Sequence, residues 1–383
     1  MFNFNLHLPT SVEFGKGQIA ALRKYIPAQA RVLIVYGGGS IKRNGVFQQV
    51  IDALDGYYYR EFSGVEPNPH YETLVKAVQL VKEDKLDFIL AIGGGSVVDG
   101  AKFIASAVLF SGDLLQILKG AEIQQALPLG AVMTLPATGS EMNGTAVITR
   151  AVTKDKTSFR SPLVKPKFAI LDPTTTFSLP PQQTANGVVD SFVHVIEQYL
   201  TYPVDAKVQD RFAEGVLLTL VEEGPKALLE PENYAVRANL MWAATMGLNG
   251  ILGVGVPQDW ASHAIGHELT ALYGLDHAKT LAIVLPALMR HQQADKWEKL
   301  LQYANRVWHY QGSDEQTAVE FAIQRTEQFF QQMGLATHLS DYQIDNRDFT
   351  YLLDKLAEHK PALLGERKNI DRQAVLEILI LAL

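Results

Sequence analysis

Asp87-Phe-Ile-Leu-Ala-Ile-Gly-Gly-Gly-Ser-Val-Val-Asp-Gly-Ala-Lys-Phe-Ile-Ala-Ser106 is the stretch that decides the fold. Residues 87–92 form a short aliphatic run that reads as a buried strand. Three glycines and a serine interrupt it, and 97–106 read as a helix. The same grammar occurs earlier, where Arg31-Val-Leu-Ile-Val-Tyr36 enters Gly37-Gly38-Gly39-Ser40 and a helical pattern follows over 46–54. A further helix is predicted over 74–83, and a strand over 129–135 runs into Pro136-Ala-Thr-Gly-Ser-Glu141. A last strand ends at Leu171-Asp172-Pro173. Strands alternating with helices imply a parallel sheet covered on both faces.

Ligands of such sheets sit at the carboxyl ends of the strands, where both glycine-rich loops lie. Glycine lets the backbone approach a pyrophosphate, and the helix that follows offers N–H donors and a positive dipole end. A nucleotide is therefore the expected ligand. Neither loop has the lysine spacing of a P-loop, and neither is a clean G-x-G-x-x-G. The first loop has no Asp or Glu for a ribose diol, and Lys42 and Arg43 follow it. That combination favours a 2′-phosphate, hence NADP(H). The rigid turn Glu66-Pro-Asn-Pro69 is suited to placing Asn68 by the nucleotide, and a polar hairpin over 149–160 carries Lys156.

Leu179-Pro-Pro181 marks a boundary, after which helical patterns dominate: 183–201, 208–229, 234–248, 260–272 and 281–291. The predicted domains are an α/β dinucleotide-binding domain over 1–180 and an all-helical metal-binding domain over 181–383. The helical half carries the metal-ligating candidates. Asp190 and His194 are four apart, which on a helix places them on one face about 5–6 Å apart at Cβ. His263 and His267 repeat the spacing, and His277 follows the turn Tyr273-Gly-Leu-Asp276. A carboxylate with imidazoles in a chain without cysteine is an N/O donor set suited to Zn²⁺ or Fe²⁺. Spacing alone leaves open which of His263 and His267 ligates. Clefts between domains are preferred ligand sites, so the expected arrangement has cofactor on one wall and metal on the other.

Composition narrows the class. The 383 residues are enough for two cores. A net charge of −7 and a pI near 5.8 argue against a nucleic-acid surface. The absence of cysteine removes disulfides and thiolate metal sites and fits a reducing compartment, so a cytoplasmic location is expected. Met1–Pro9 shows no basic and apolar signal pattern. The longest apolar run, about 240–256, is short for a membrane span and contains Thr245 and Asn249.

Taken together, five blocks resemble the iron-containing, group III alcohol dehydrogenases: Pro9-Thr-Ser-Val-Glu-Phe-Gly15, Gly93–Lys102, Leu135-Pro-Ala-Thr-Gly-Ser-Glu141, Ala185–His194 and Trp260-Ala-Ser-His-Ala-Ile-Gly-His267. The resemblance covers nearly the whole chain. It looks closest to the NADPH-dependent aldehyde reductase or butanol dehydrogenase-like subgroup, through Gly37-Gly-Gly-Ser40 and Val256-Pro-Gln-Asp-Trp260. It implies the fold shared with glycerol dehydrogenase and dehydroquinate synthase, one divalent metal (Fe²⁺ or Zn²⁺), NADP(H) and a homodimer. It makes Asp190, His194, His263 and His277 the ligands and leaves His267 by the nicotinamide as a proton handler. It implies cofactor contacts at Gly38, Ser40, Asn68, Gly94, Gly95, Ser96, Thr134, Thr138, Asn143 and Lys156, and a place for Asp99 and Lys102 at the nicotinamide end. One departure is His277-Ala-Lys-Thr-Leu-Ala282, where many members read H-G-x-x-N-A. The expected reaction is reversible reduction of an aldehyde to a primary alcohol. The alternatives are an NAD-dependent polyol dehydrogenase and a dehydroquinate synthase-like lyase. The lyase would need a basic pocket that 185–201 does not supply.

Overall fold

The computed structural model describes every residue except Lys154 and Pro361. Its chain divides into two compact units. One comprises His7–Leu179 with Pro231–Thr245, the other Met1–Leu6, Pro180–Glu230 and Met246–Leu383.

The first unit is built on β1 (Ser11–Phe14), β2 (Arg31–Tyr36), β3 (Tyr58–Phe62), β4 (Phe88–Gly94), β5 (Leu129–Leu135) and β8 (Phe168–Leu171). These pair in the order β1-β8-β5-β4-β2-β3, every neighbour parallel. The antiparallel hairpin β6 (Thr145–Arg150) and β7 (Asp155–Arg160) stands apart from that sheet. Strand side chains alternate faces. Leu33, Val35, Ile89 and Ala91 join a core with α3 (Tyr71–Glu83) and α4 (Gly95–Ala107). Val32, Ile34, Phe88 and Leu90 join another with the 3₁₀ turn Gln18–Lys24, α1 (Ser40–Arg43) and α2 (Val46–Ala53). The short helix α5 (Leu115–Leu118) completes the unit's regular helices before the boundary. Both faces are thus covered, as the alternating pattern predicts.

The order of strands places the ligand site. From β2 the chain turns outward to β3, then crosses to the other side of β2 for β4. Strand order therefore reverses between β2 and β4, and a crevice opens at such a switch point. The two glycine-rich loops leave these two neighbouring strands.

Gly130 shows how tightly the sheet is covered. A Cβ there would lie 2.2 Å from the Phe168 ring, which is fully buried and stacked with Tyr25 and Phe88. Gly130→Ala is expected to cost about 1–3 kcal/mol through overpacking. Urea unfolding followed by circular dichroism would read this as a lower midpoint; an unchanged midpoint would mean that the ring moves aside freely.

The second unit is helical: α6 (Pro181–Tyr199), α7 (Lys207–Leu229), α9 (Ala261–Tyr273), α10 (His277–His291), α11 (Trp297–Arg306), α12 (Glu315–Gln332), α13 (Phe349–His359) and α14 (Arg372–Leu381). Its described residues contain no strand beyond an isolated bridge between Leu364 and Ile370. Helices α9, α10, α13 and α14 share one core. No described helix is long and apolar enough to cross a membrane.

The structure differs from the pattern in three places. Residues 231–245, beyond the expected cut at 180, belong to the sheet's unit. They hold most of α8 (Tyr234–Leu248), whose Met241 enters the α3–α4 core and whose Trp242 meets Phe14 edge-on at 5.9 Å. β1 and β3 were not predicted because both are edge strands with half-exposed, mixed sequences. α10 begins at His277 rather than near 281, so that histidine opens a helix.

Candidate metal centre and cofactor cradle

In the helical unit, α6 carries Asp190 and His194, both buried. α9 starts after Trp260, a non-glycine residue at φ 64°, a conformation that costs energy and is held here by its surroundings. Its indole Nε1 donates to Gln258 Oε1 at 2.9 Å, and its ring stands 5.5 Å from that of His263.

Asp190 Oδ1 lies 3.8 Å from His263 Nε2, 3.9 Å from His277 Nε2 and 3.7 Å from His194 Nδ1. One donor atom from each of Asp190, His263 and His277 lies within 4.8 Å of the others. His194 stacks on His263, with centroids 4.5 Å apart and planes 27° apart. Donors about 2.1 Å from a shared tetrahedral centre stand about 3.4 Å apart, so the spacings of Asp190 to His263 and His277 fit one ion with a small contraction. A second observation supports the fit. Asp190 Oδ1 and His263 Nε2 are buried without a hydrogen-bond partner among the described residues. A native fold tolerates such atoms where something else satisfies them. Burial pushes the Asp190 carboxyl up, but the imidazoles of His194, His263 and His277 outweigh it and hold it well below the usual range. Burial lowers His263, yet the Glu197 and Asp190 carboxylates on either side raise it to about 9.

His267 projects one turn past His263, its ring 4.8 Å from that of His277 and 6.2 Å from that of His263. The structure therefore draws Asp190, His263 and His277 into one donor group, with His194 beside it against Asp190 and His263, and His267 beside it against His277. It also adds Glu197, which the sequence reading missed. Glu197 is three residues past His194 on α6, and its Oε2 is hydrogen-bonded to His263 Nδ1. Spacing along α6 carries no signal of this, because the partner lies on another helix.

In the sheet's unit, Gly94 caps α4 without a side-chain cap, leaving the first N–H groups of that helix to a ligand. A Cβ on Gly95 would fall 2.4 Å from Thr138 Oγ1, and one on Gly94 would fall 3.1 Å from Leu135 Cβ. These glycines are required by close packing at the head of the helix. Ser96 Oγ accepts from the Asn68 backbone N–H at 3.3 Å, and Asn68 itself sits at φ 56°. Asn143 Nδ2 donates to the carbonyls of Thr138 and Gly139. Gly94, Gly95, Ser96, Asn68, Thr138 and Asn143 are thus brought together. Thr134 lies where the β4–β5 register slips, its neighbours Met133 and Leu135 pairing with Gly93 and Gly94. Lys156 pairs in register with Thr149, which bridges to His70 beside the Asn68 turn.

Gly38 and Ser40 are exposed at the end of β2, and a Cβ on Gly38 would meet nothing within 4 Å. Lys42 is less available than the sequence implies. Its Nζ donates to Glu61 Oε2 at 2.6 Å, and Tyr36 Oη donates to the same oxygen at 2.7 Å. Glu61 comes from β3, so the carboxylate missing from the loop is present on the neighbouring strand. Arg43 is exposed and makes no ion pair among the described residues.

Asp99 and Lys102 form a buried network. Lys102 Nζ donates to Ser140 Oγ (2.7 Å), Asn143 Oδ1 (3.0 Å) and the Thr145 carbonyl (2.7 Å), which uses all three of its protons. Burial pulls its pKa down to about 8. Asp99 Oδ1 accepts from Ser140 Oγ (2.5 Å) and Oδ2 from the Val147 N–H (2.9 Å). Burial pushes Asp99 up, against the pull of Lys102. Both oxygens are engaged in holding the 138–147 segment.

This donor set and this glycine cradle are those of a metal- and nucleotide-dependent enzyme, and the chain belongs to the iron-containing alcohol dehydrogenase family. The model of "iron-containing alcohol dehydrogenase" matches residues 9–173, and that of "Fe-containing alcohol dehydrogenase family, C-terminal" matches residues 184–383. The chain is 60% identical to the NADPH-dependent aldehyde reductase YqhD of Escherichia coli over 375 residues, 97% of each chain. It is 37% identical to NADH-dependent butanol dehydrogenase A of Clostridium acetobutylicum over 99% of each. The substrate- and cofactor-free structure of E. coli YqhD superposes with a TM-score of 0.94 at 57% identity, covering both chains completely. The fold is accordingly the dehydroquinate synthase-like one that the resemblance implied.

Proposed function

We propose that this protein is an NADPH-dependent, metal-dependent aldehyde reductase that interconverts aldehydes and primary alcohols. The observation that carries the reading is the convergence of Asp190, His263 and His277, with partnerless buried atoms on the first two. The 60% identity to an NADPH-dependent aldehyde reductase supports NADP(H). The sheet's unit, expected over 1–180, is assigned to NADP(H), and the helical unit, expected over 181–383, to the metal.

When bound, the metal supplies Lewis-acid polarisation of the carbonyl and NADPH supplies the hydride. The chain's own groups do the rest. Asp190, His194, His263 and His277 hold the ion with four N/O donors. The α4 N-terminus and the Gly94–Ser96 backbone receive the pyrophosphate, with Gly38 and Ser40 at the 2′-phosphate end. Asn68, Thr134, Thr138, Asn143 and Lys156 complete the cofactor contacts. Asp99 acts through Ser140 and Lys102, keeping the 138–147 segment in place. His267 delivers, through a ring nitrogen, the proton that the new hydroxyl needs. His267→Gln is expected to lower kcat by about 100-fold with the metal retained. An unchanged kcat across the pH range would remove His267 from the chemistry.

Fe²⁺ and Zn²⁺ both suit one Asp and three His. The enzyme is further proposed to work as a homodimer in the cytoplasm, in keeping with a cysteine-free chain. The deciding experiment pairs metal analysis of the purified protein with NADPH oxidation over an aldehyde series beginning with butanal. About one metal per chain and turnover of NADPH support the reading; coenzyme binding without turnover of any aldehyde overturns it.

A further inference from the structure

Glu197 is 2% exposed, and the side-chain hydrogen bonds it makes go to the start of α9. Its Oε2 is hydrogen-bonded to His263 Nδ1. Its Oε1 accepts from the backbone N–H groups of Ser262 at 2.6 Å and His263 at 3.3 Å. Its own carbonyl accepts from the Asp259 N–H at 2.8 Å. α9 needs such a partner. Its N-cap is Trp260, which offers no side-chain cap; Asp259 Oδ1 accepts from the Ala261 N–H at 3.0 Å, which leaves the Ser262 and His263 N–H groups to be satisfied from elsewhere. A carboxylate from α6 fills that place. The helix bearing Asp190 and His194 is thereby pinned to the helix bearing His263 by one side chain.

We propose that Glu197 is the positioning residue of the metal site, holding His263 in the tautomer and orientation that direct Nε2 at the ion. The inference rests on the metal reading above. A carboxylate only accepts, so Nδ1 must carry the proton of the ring it faces. Neutral imidazole has one N–H and one lone pair, and the lone pair is then confined to Nε2. That is the nitrogen standing 3.8 Å from Asp190 Oδ1. A carboxylate behind a ligand histidine also raises the basicity of the donor atom and stops the ring from rotating. Among the described residues, no other hydrogen bond to the His263 ring falls on Nδ1. Besides Asp190 on the Nε2 side, its neighbours are the stacked His194, the edge of Trp260 and the rings of His277 and His267, and none of these four rings distinguishes Nδ1 from Nε2.

The test is Glu197→Gln. The amide oxygen keeps accepting from Ser262 and His263, so the α9 cap is preserved. The amide nitrogen can only donate, and it pairs with an unprotonated Nδ1. The proton then moves to Nε2, where the metal must bind. Zn²⁺ affinity, measured by competition with a chromogenic chelator, is expected to weaken 10–100-fold, while the melting temperature of the metal-free protein changes little. An affinity within twofold of the parent overturns the proposal, and a large loss of metal-free stability beside it reduces Glu197 to a helix cap. Should the variant not fold, ¹⁵N-histidine spectra of the Zn²⁺-loaded parent decide, with His263→Gln assigning the signal. A protonated Nδ1 and a metal-bound Nε2 uphold the proposal, and the reverse arrangement overturns it. A parent protein that takes up no divalent metal overturns the metal reading itself, an outcome distinct from equal affinity in parent and variant.

Discussion

His263→Ala is expected to strip the metal from the helical unit and to lower kcat/KM for aldehyde reduction on the order of 1,000-fold. His263 is tied into the site through both ring nitrogens and its ring face. Its Nε2 is 3.8 Å from Asp190 Oδ1, its ring is stacked on His194, and its Nδ1 is anchored to Glu197. Removing the ring leaves two imidazoles and one carboxylate, and it opens a gap between His194 and His277. The fold is expected to survive. Glu197 keeps its two backbone donors at the start of α9, since they come from the main chain of residues 262 and 263. The measurement is metal per chain by elemental mass spectrometry, run beside NADPH oxidation with butanal and melting of the metal-free protein. His267→Gln is the internal comparison: it should keep its metal. A His263→Ala protein with full metal would sink the ligand assignment. A metal-free protein with full activity would sink the role of the metal.

The α/β half was legible because its central strands are buried on both faces and announce themselves as aliphatic runs, as in Phe88–Gly94 and Leu129–Leu135. The edge strands were not, because a strand with one neighbour need not be apolar. Tyr58-Tyr-Arg-Glu-Phe62 carries polar groups on its open side, and missing it also hid Glu61. The consequence is chemical as well as architectural: Lys42, read as free for a phosphate, is paired with Glu61. The metal residues were visible through i, i+4 spacing, which reports one helix face. The arrangement of α6 against α9 and α10 is tertiary and leaves no mark in spacing, so the choice between His263 and His267 stayed open until family resemblance was added. Glu197 was overlooked for a related reason, since its role depends on facing the start of a helix more than 60 residues away. The assignment of 231–245 to the sheet's unit was invisible, because a helix's apolar face does not name the core it joins.

Gly38→Asp is expected to lower the NADPH/NADH ratio of kcat/KM on the order of 100-fold. Two unit charges about 4 Å apart interact by about 4 kcal/mol at an effective dielectric near 20, and exposure at the loop reduces that to roughly 2–3 kcal/mol. The position is suited to the test. Gly38 is exposed, its φ lies outside the left-handed region, and a Cβ there meets nothing within 4 Å, so the substitution carries charge without strain. Its neighbour Gly39 is at φ 84° and would confound the result. The new carboxylate acts in both directions. It repels a 2′-phosphate, and it accepts a hydrogen bond from the ribose 2′-hydroxyl of NADH. Because the site is open, the repulsion should weaken with salt, whereas a steric effect would not. Kinetics with both coenzymes at low and high ionic strength therefore separate charge from shape. A ratio that stays put would place the 2′-phosphate away from the first loop. A fall in kcat/KM shared equally by both coenzymes would mean that residue 38 touches the common adenosine, leaving Arg43 or another cation to select the phosphate.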